Sequence, residues 1–140
     1  MLKKILIAFD GSEGAHQALN FALDVAKAHQ AEVCAVAVAE RSPIQEVSPG
    51  ELEEEVEFFN RYYRDQLAKA QKVAAEAGIS LTTQLETGHP AQAILKAAED
   101  GNFDLIVLGH RGISGVWARL LGSVAEKVSR HAHCSVLIVR

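Results

Sequence analysis

Gly109-His110-Arg111-Gly112-Ile113-Ser114-Gly115 is the stretch of this chain whose residue types best suit chemistry, and Gly122-Ser123 follows shortly after it. Glycines let a backbone approach a ligand closely and take up left-handed torsions closed to other residues. Successive amides, joined to the start of a helix, make a cradle for an anion. Arg111 and Arg119 can add positive charge, and the hydroxyls of Ser114 and Ser123 can donate hydrogen bonds to phosphate. No Gly-Lys-Ser/Thr closes the segment and no Gly-x-Gly-x-x-Gly opens it, so neither a P-loop nor a dinucleotide fingerprint is present. The same glycines would serve tight turns and close helix packing; the spacing favours phosphate without removing that alternative. Asp10-Gly11-Ser12 is a second candidate. Asp10 can accept a hydrogen bond from an adenine amino group or a sugar hydroxyl, and it can equally hold an Asx-turn or a helix cap.

The elements that must position these groups follow from hydrophobic periodicity. Ile5–Phe9 is a short apolar run ended by Asp10-Gly11-Ser12, which predicts a strand buried on both faces. Ala15, Ala18, Leu19, Ala22, Val25 and Ala26 recur at helical spacing between Glu13 and about Gln30. Val33–Ala39 predicts a second buried strand. Arg41 to Gly50 holds Pro43 and Pro49 and reads as irregular, with Ser48-Pro49-Gly50-Glu51 forming a capping box. The helix after it carries Leu52, Val56, Phe59, Tyr63, Leu67, Ala70 and Ala74 on one stripe, and Gly78 supplies its left-handed stop. Its five early glutamates read as a solvated start that complements the helix dipole rather than as a cation site. Ile79–Glu86 alternates like an edge strand, and Pro90 opens a helix to about Ala98. Asp104–Gly109 predicts a fourth strand, the stretch from Gly115 to about His131 a helix, and Ser135–Val139 a last strand. Regular alternation of strand and helix implies a mostly parallel sheet with right-handed crossovers and helices on both faces. In such sheets ligands bind off the carboxyl ends of the strands where the strand order reverses. Asp10-Gly11-Ser12 and the long glycine loop then form two rims of one cleft, provided the first and fourth strands are neighbours.

With these stretches in view, the chain resembles the universal stress protein family, and specifically its ATP-binding branch. Three segments carry the resemblance: Ile7-Ala8-Phe9-Asp10-Gly11-Ser12, Gly88-His89-Pro90, and the loop. The loop matches the family signature G-x2-G-x9-G-S/T through Gly109, Gly112, Gly122 and Ser123, and the match runs on into Cys134-Ser135-Val136-Leu137-Ile138-Val139. The resemblance implies one Rossmann-like, doubly wound α/β domain over residues 1–140, with a five-stranded parallel sheet ordered 3-2-1-4-5. It implies that Asp10 and the Val38 backbone contact adenine, and that Gly109 and Gly112 approach ribose and phosphates. It further implies that Gly122, Ser123 and the Val124 amide hold phosphates; Arg111 joins these candidate binding residues on its charge alone. The implied ligand is ATP, accompanied by a divalent ion such as Mg²⁺, and two copies are expected to pair as a homodimer through the last strand. The implied role is a nucleotide-dependent sensor or regulator in the stress response.

Composition narrows the alternatives. A chain of 140 residues, 49% apolar and 23% charged, is an ordinary globular domain. A net charge of −4 with no basic stripe speaks against a nucleic-acid binder, and no apolar run is long enough to span a membrane. Cys34 and Cys134 lie inside apolar runs, as small buried residues do, so a reducing cytoplasm is the expected compartment. His131-Ala132-His133-Cys134 could suggest a metal, but strand alternation points neighbours to opposite faces, so a structural role is expected. No carboxylate pair stands near the loop, Asp10 being the one candidate base, so binding with at most slow ATP hydrolysis is expected rather than fast catalysis. A dimeric interaction module that binds no nucleotide is the remaining alternative.

Overall fold

A computed structural model describes residues 1–40, 49–110 and 121–140, with Pro49 described by its backbone alone. Along the chain run β1 (Lys4–Ala8), α1 (Glu13–His29), β2 (Glu32–Ala39), α2 (Pro49–Glu76), β3 (Leu81–Thr87), α3 (Pro90–Asp100), β4 (Leu105–Gly109), α4 (Ser123–His131) and β5 (Ser135–Val139). The five strands form one parallel sheet ordered β3-β2-β1-β4-β5. This is the doubly wound α/β architecture and strand order expected. The strand order reverses between β1 and β4, which pair from Ile5–Leu105 to Ile7–Val107.

Alternation along the strands sends side chains to two cores. Ile5, Ile7 and Phe9 face a core with Ala15, Leu19 and Ala22 of α1 and Leu67, Ala70 and Ala74 of α2. Leu6, Ile106 and Leu108 face a second with Ala91 and Ile94 of α3 and Ala125 and Val128 of α4. The alanine stripe of α1 lets that helix lie close to the sheet, and Leu23 joins it in the core. At the lower end of the sheet Asp104 ties β4 to β1 by accepting from the amides of Lys3 and Lys4, at 2.7 and 2.8 Å. Those two amides hold its carboxyl below the ordinary range.

Helix α2 departs from expectation. Its apolar stripe is buried only at Leu67, Ala70 and Ala74; Tyr63 is half-buried, while Val56 and Phe59 stand 44% and 39% exposed. Length explains this. Twenty-eight helical residues span about 42 Å, and the eight residues of β2 only about 26 Å, so the sheet cannot cover the outer half. Gly78, at φ +78°, ends the element as foreseen. Cys34 is buried, but Cys134 is only half-buried, because β5 is an edge strand with a neighbour on one side. Ser48 of the expected capping box lies outside the described residues, as do Arg111, Gly112, Ser114 and Arg119.

Candidate functional site

A cleft of about 400 Å³ opens over the carboxyl ends of β1, β2 and β4, at the point where the strand order reverses. It gathers Asp10, Val38, Gly109, Gly122, Ser123 and Val124 among its walls. Six of the eight residues singled out from sequence therefore lie around one cavity; Arg111 and Gly112 fall outside the described residues.

The β1–α1 wall is built by its own side chains. Gly11 takes φ +85°, a left-handed turn, and a Cβ on it would come within 2.5 Å of the buried Gln66 side chain of α2. The amide of Ser12 donates to Asp10 Oδ1 at 2.9 Å, an Asx-turn, and Ser12 Oγ accepts from the Ala15 amide at 3.1 Å as the N-cap of α1. The local role of Asp10 is thus present. Its carboxylate remains exposed at the cleft, with lone pairs to spare.

The β4–α4 wall is built differently. The chain leaves β4 at His110 and returns at Gly122, whose amide donates to the His110 carbonyl at 2.9 Å. His110 itself is buried, and its amide is held by the Val139 carbonyl at 2.7 Å. Gly122 is the N-cap of α4, with φ −63° and ψ 152°, and being glycine it brings no side chain to cap the helix. Positive φ is therefore not why glycine stands there. The amide of Glu126 is the first to bond within the helix, to the Gly122 carbonyl. Those of Ser123, Val124 and Ala125 precede it at the positive end of the helix dipole, and all three residues line the cleft. Gly109 has a structural duty that the sequence left as the alternative: an added Cβ would meet the Gly14 carbonyl of α1 at 2.8 Å. Close packing of α1 on β4 requires glycine at this position.

Between these walls the lining is apolar: Ala8, Val36, Val38, Pro90, Ile94 and Leu108. Val38 pairs with Glu86 of β3 and is half-buried against the α3–α4 core. Such a surface suits a planar base or a sugar face, with polar groups at its margins.

Two polar residues of the cleft escaped sequence reasoning. Glu40, just past β2, puts a second carboxylate beside Asp10, where sequence separation suggested only one. Tyr63 fits the apolar stripe of α2, yet it also lines the cleft. Burial above all, then the Asp10 carboxylate, Tyr62 and the Glu40 carboxylate, push its phenol above the usual range. Only the closeness of α2 to the end of β2 could have revealed either. Elsewhere, His131 and His133 are exposed beside half-buried Cys134. Among the described residues no three His, Cys, Asp or Glu side chains gather to hold a metal ion, and no helix is long and apolar enough to cross a membrane.

Comparison with known proteins agrees with this architecture. A universal stress protein of Methanocaldococcus jannaschii is 39% identical over 141 residues, covering 100% of this chain and 83% of its own length. Among solved structures, the universal stress protein UspA of Lactobacillus plantarum superposes with a TM-score of 0.89 at 28% identity, covering 99% of this chain and 98% of its own. A universal stress protein solved in complex with cAMP superposes with a TM-score of 0.78 at 25% identity, covering 99% and 97%. The sequence model of the universal stress protein family matches residues 1–140. Matched along its whole length in sequence, and sharing the sheet order and crossovers of these relatives, the chain belongs to the universal stress protein family.

Proposed function

We propose that residues 1–140 act as one domain that holds an adenine nucleotide, ATP by preference, and works as a nucleotide-dependent regulator in the response to stress. The observation that carries this reading is the start of α4, whose N-cap glycine has no side chain to cap it, at the head of an apolar cleft. Three amides and the Ser123 hydroxyl are donors that a phosphate group satisfies, and the apolar lining between the walls is suited to a nucleoside. The cAMP complex of a structural relative supports an adenine nucleotide as the class of ligand. In this reading Asp10 and Val38 meet the nucleoside, Gly109 and Gly112 lie along the sugar and phosphates, and Gly122, Ser123, Val124 and Arg111 hold the phosphates. The donor set fits a Mg²⁺ that arrives on ATP, because this ion keeps most of its waters and takes the rest of its ligands from phosphate oxygens. The residues of this chain would orient the phosphates that carry it.

Binding without fast turnover is the proposed behaviour, since the two cleft carboxylates, Asp10 and Glu40, follow β1 and β2 rather than belonging to the α4 wall. Calorimetric titration with ATP tests the reading directly. No heat of binding, together with no nucleotide in the denatured protein, would overturn it. Phosphate release should stay far below the ~10 s⁻¹ of a typical enzyme.

The proposed assembly is a homodimer through β5. This edge strand offers unpaired backbone, and Val136, Leu137, Ile138 and Val139 are each only half-buried. Sedimentation at micromolar concentration should give twice the 15.1 kDa chain mass, and Ile138→Pro should shift it to monomer; a wild-type monomer would refute the interface. The cytoplasm is the proposed compartment, where the two unpaired cysteines stay reduced.

A further inference from the structure

The cleft has two chemically opposite flanks. Sheet order puts β2 on one side of β1 and β4 on the other, so the end of β2, which Glu40 follows, and the end of β4 are two strand spacings, about 10 Å, apart. The flanks also belong to different faces of the sheet. Tyr63 of α2 packs on the core shared with α1, whereas Val124 and Ala125 of α4 pack on the core shared with α3. The cavity therefore crosses the upper edge of the sheet diagonally, from α2 to α4. At the α4 flank the polar groups are amide donors and a serine hydroxyl. At the α2 flank they are the carboxylates of Asp10 and Glu40 and the phenol of Tyr63.

We infer that Tyr63, with Glu40, forms a selectivity wall that receives the uncharged nucleoside part of the ligand and confines its phosphates to the α4 flank. The inference rests on the nucleotide reading above and adds two residues which neither the signature nor the loop contains. Two carboxylates repel phosphate but accept from an amino group or a sugar hydroxyl. A phenol held protonated beside them supplies the complementary donor. Tyr63 is suited to this because its ring packs on the core and on Tyr62, edge to face with centroids 5.2 Å apart, while the residue also lines the cavity.

Adenosine and ATP separate the two flanks, since only ATP engages the phosphate seat. Calorimetric titrations of both into the wild type, Tyr63→Phe and Glu40→Ala are the test, with circular dichroism and melting as folding controls. Tyr63→Phe keeps the ring, and so the melting temperature. It should weaken adenosine and ATP by a common factor, about two- to twelvefold for one neutral hydrogen bond. Glu40→Ala should weaken adenosine more than ATP, because it also removes a repulsion felt by the phosphates. Unchanged adenosine affinity in both variants would overturn the inference while leaving nucleotide binding intact. A loss confined to ATP would place the phosphates on this flank and overturn it equally. A wild type that binds neither compound would refute the nucleotide reading, and this inference with it.

Discussion

Helix α1 begins behind its own side chains: Ser12 Oγ takes the Ala15 amide and Asp10 takes the Ser12 amide. Helix α4 begins behind Gly122, which has no side chain to offer, and its first amides open onto the cleft. Both junctions follow a central strand at the same edge of the sheet, and the strands they follow are paired neighbours. What separates them is whether the sequence fills the anion seat that every helix N-terminus presents. At α1 the chain's own side chains take the Ser12 and Ala15 amides, which strengthens the fold. At α4 the N-cap residue offers no side chain, so the fold forgoes from that position a cap worth about 1 kcal/mol, and in the proposed function a phosphate takes its place.

Filling the open seat should break this contrast most sharply. Gly122→Asp places a carboxylate at an N-cap whose torsions any residue can adopt. ATP affinity should fall by about tenfold or more, the worth of one to two bonds to a charged group. The helix start should gain about 0.3–1 kcal/mol. Calorimetry and urea unfolding check the two signs separately, and a variant that binds ATP as the wild type does would mean that the amides are not the seat.

The two junctions touch where Gly109 lies against Gly14, so Gly109→Ala should force α1 off β4. A loss of about 1–3 kcal/mol is expected from overpacking against backbone. Urea unfolding reads it, and a change under about 0.5 kcal/mol would show that α1 retreats freely.

Emptying the closed seat is the smallest change. Ser12→Ala should cost about 1 kcal/mol, lowering the melting temperature by roughly 3–5 °C. ATP affinity should stay within about twofold, because the Ser12 oxygen serves the Ala15 amide of α1 and the phosphates are assigned to the α4 wall. A loss of ATP binding without a loss of stability would reverse the roles assigned to the two junctions.

Much of this was legible before any coordinates. Strand runs such as Leu105–Leu108 are apolar on both faces because helices cover both, and that pattern is local in sequence. The glycine spacing of the loop is likewise local, and its described members Gly109, Gly122 and Ser123 line the cleft. Glu40 and Tyr63 were not legible, since each obeys a local rule: a charge after a strand, and an apolar position on a helix stripe. Their meeting depends on how far α2 slides along β2, which no periodicity records. The same limit applies to Val56 and Phe59, which satisfy helical spacing but lie beyond the reach of the sheet.

The alternation of strand and helix, the buried faces of the strands, and the glycines that mark the β1 and β4 ends are all written locally in the chain. These follow from short-range sterics and from the period of apolar residues. Packing between distant segments set the duties of two of those glycines: Gly11 yields space to Gln66 and Gly109 to Gly14. A missing side chain is identical in the sequence whether it makes room for a helix or for a ligand. The difference lies in what stands opposite, which the packing of distant segments sets.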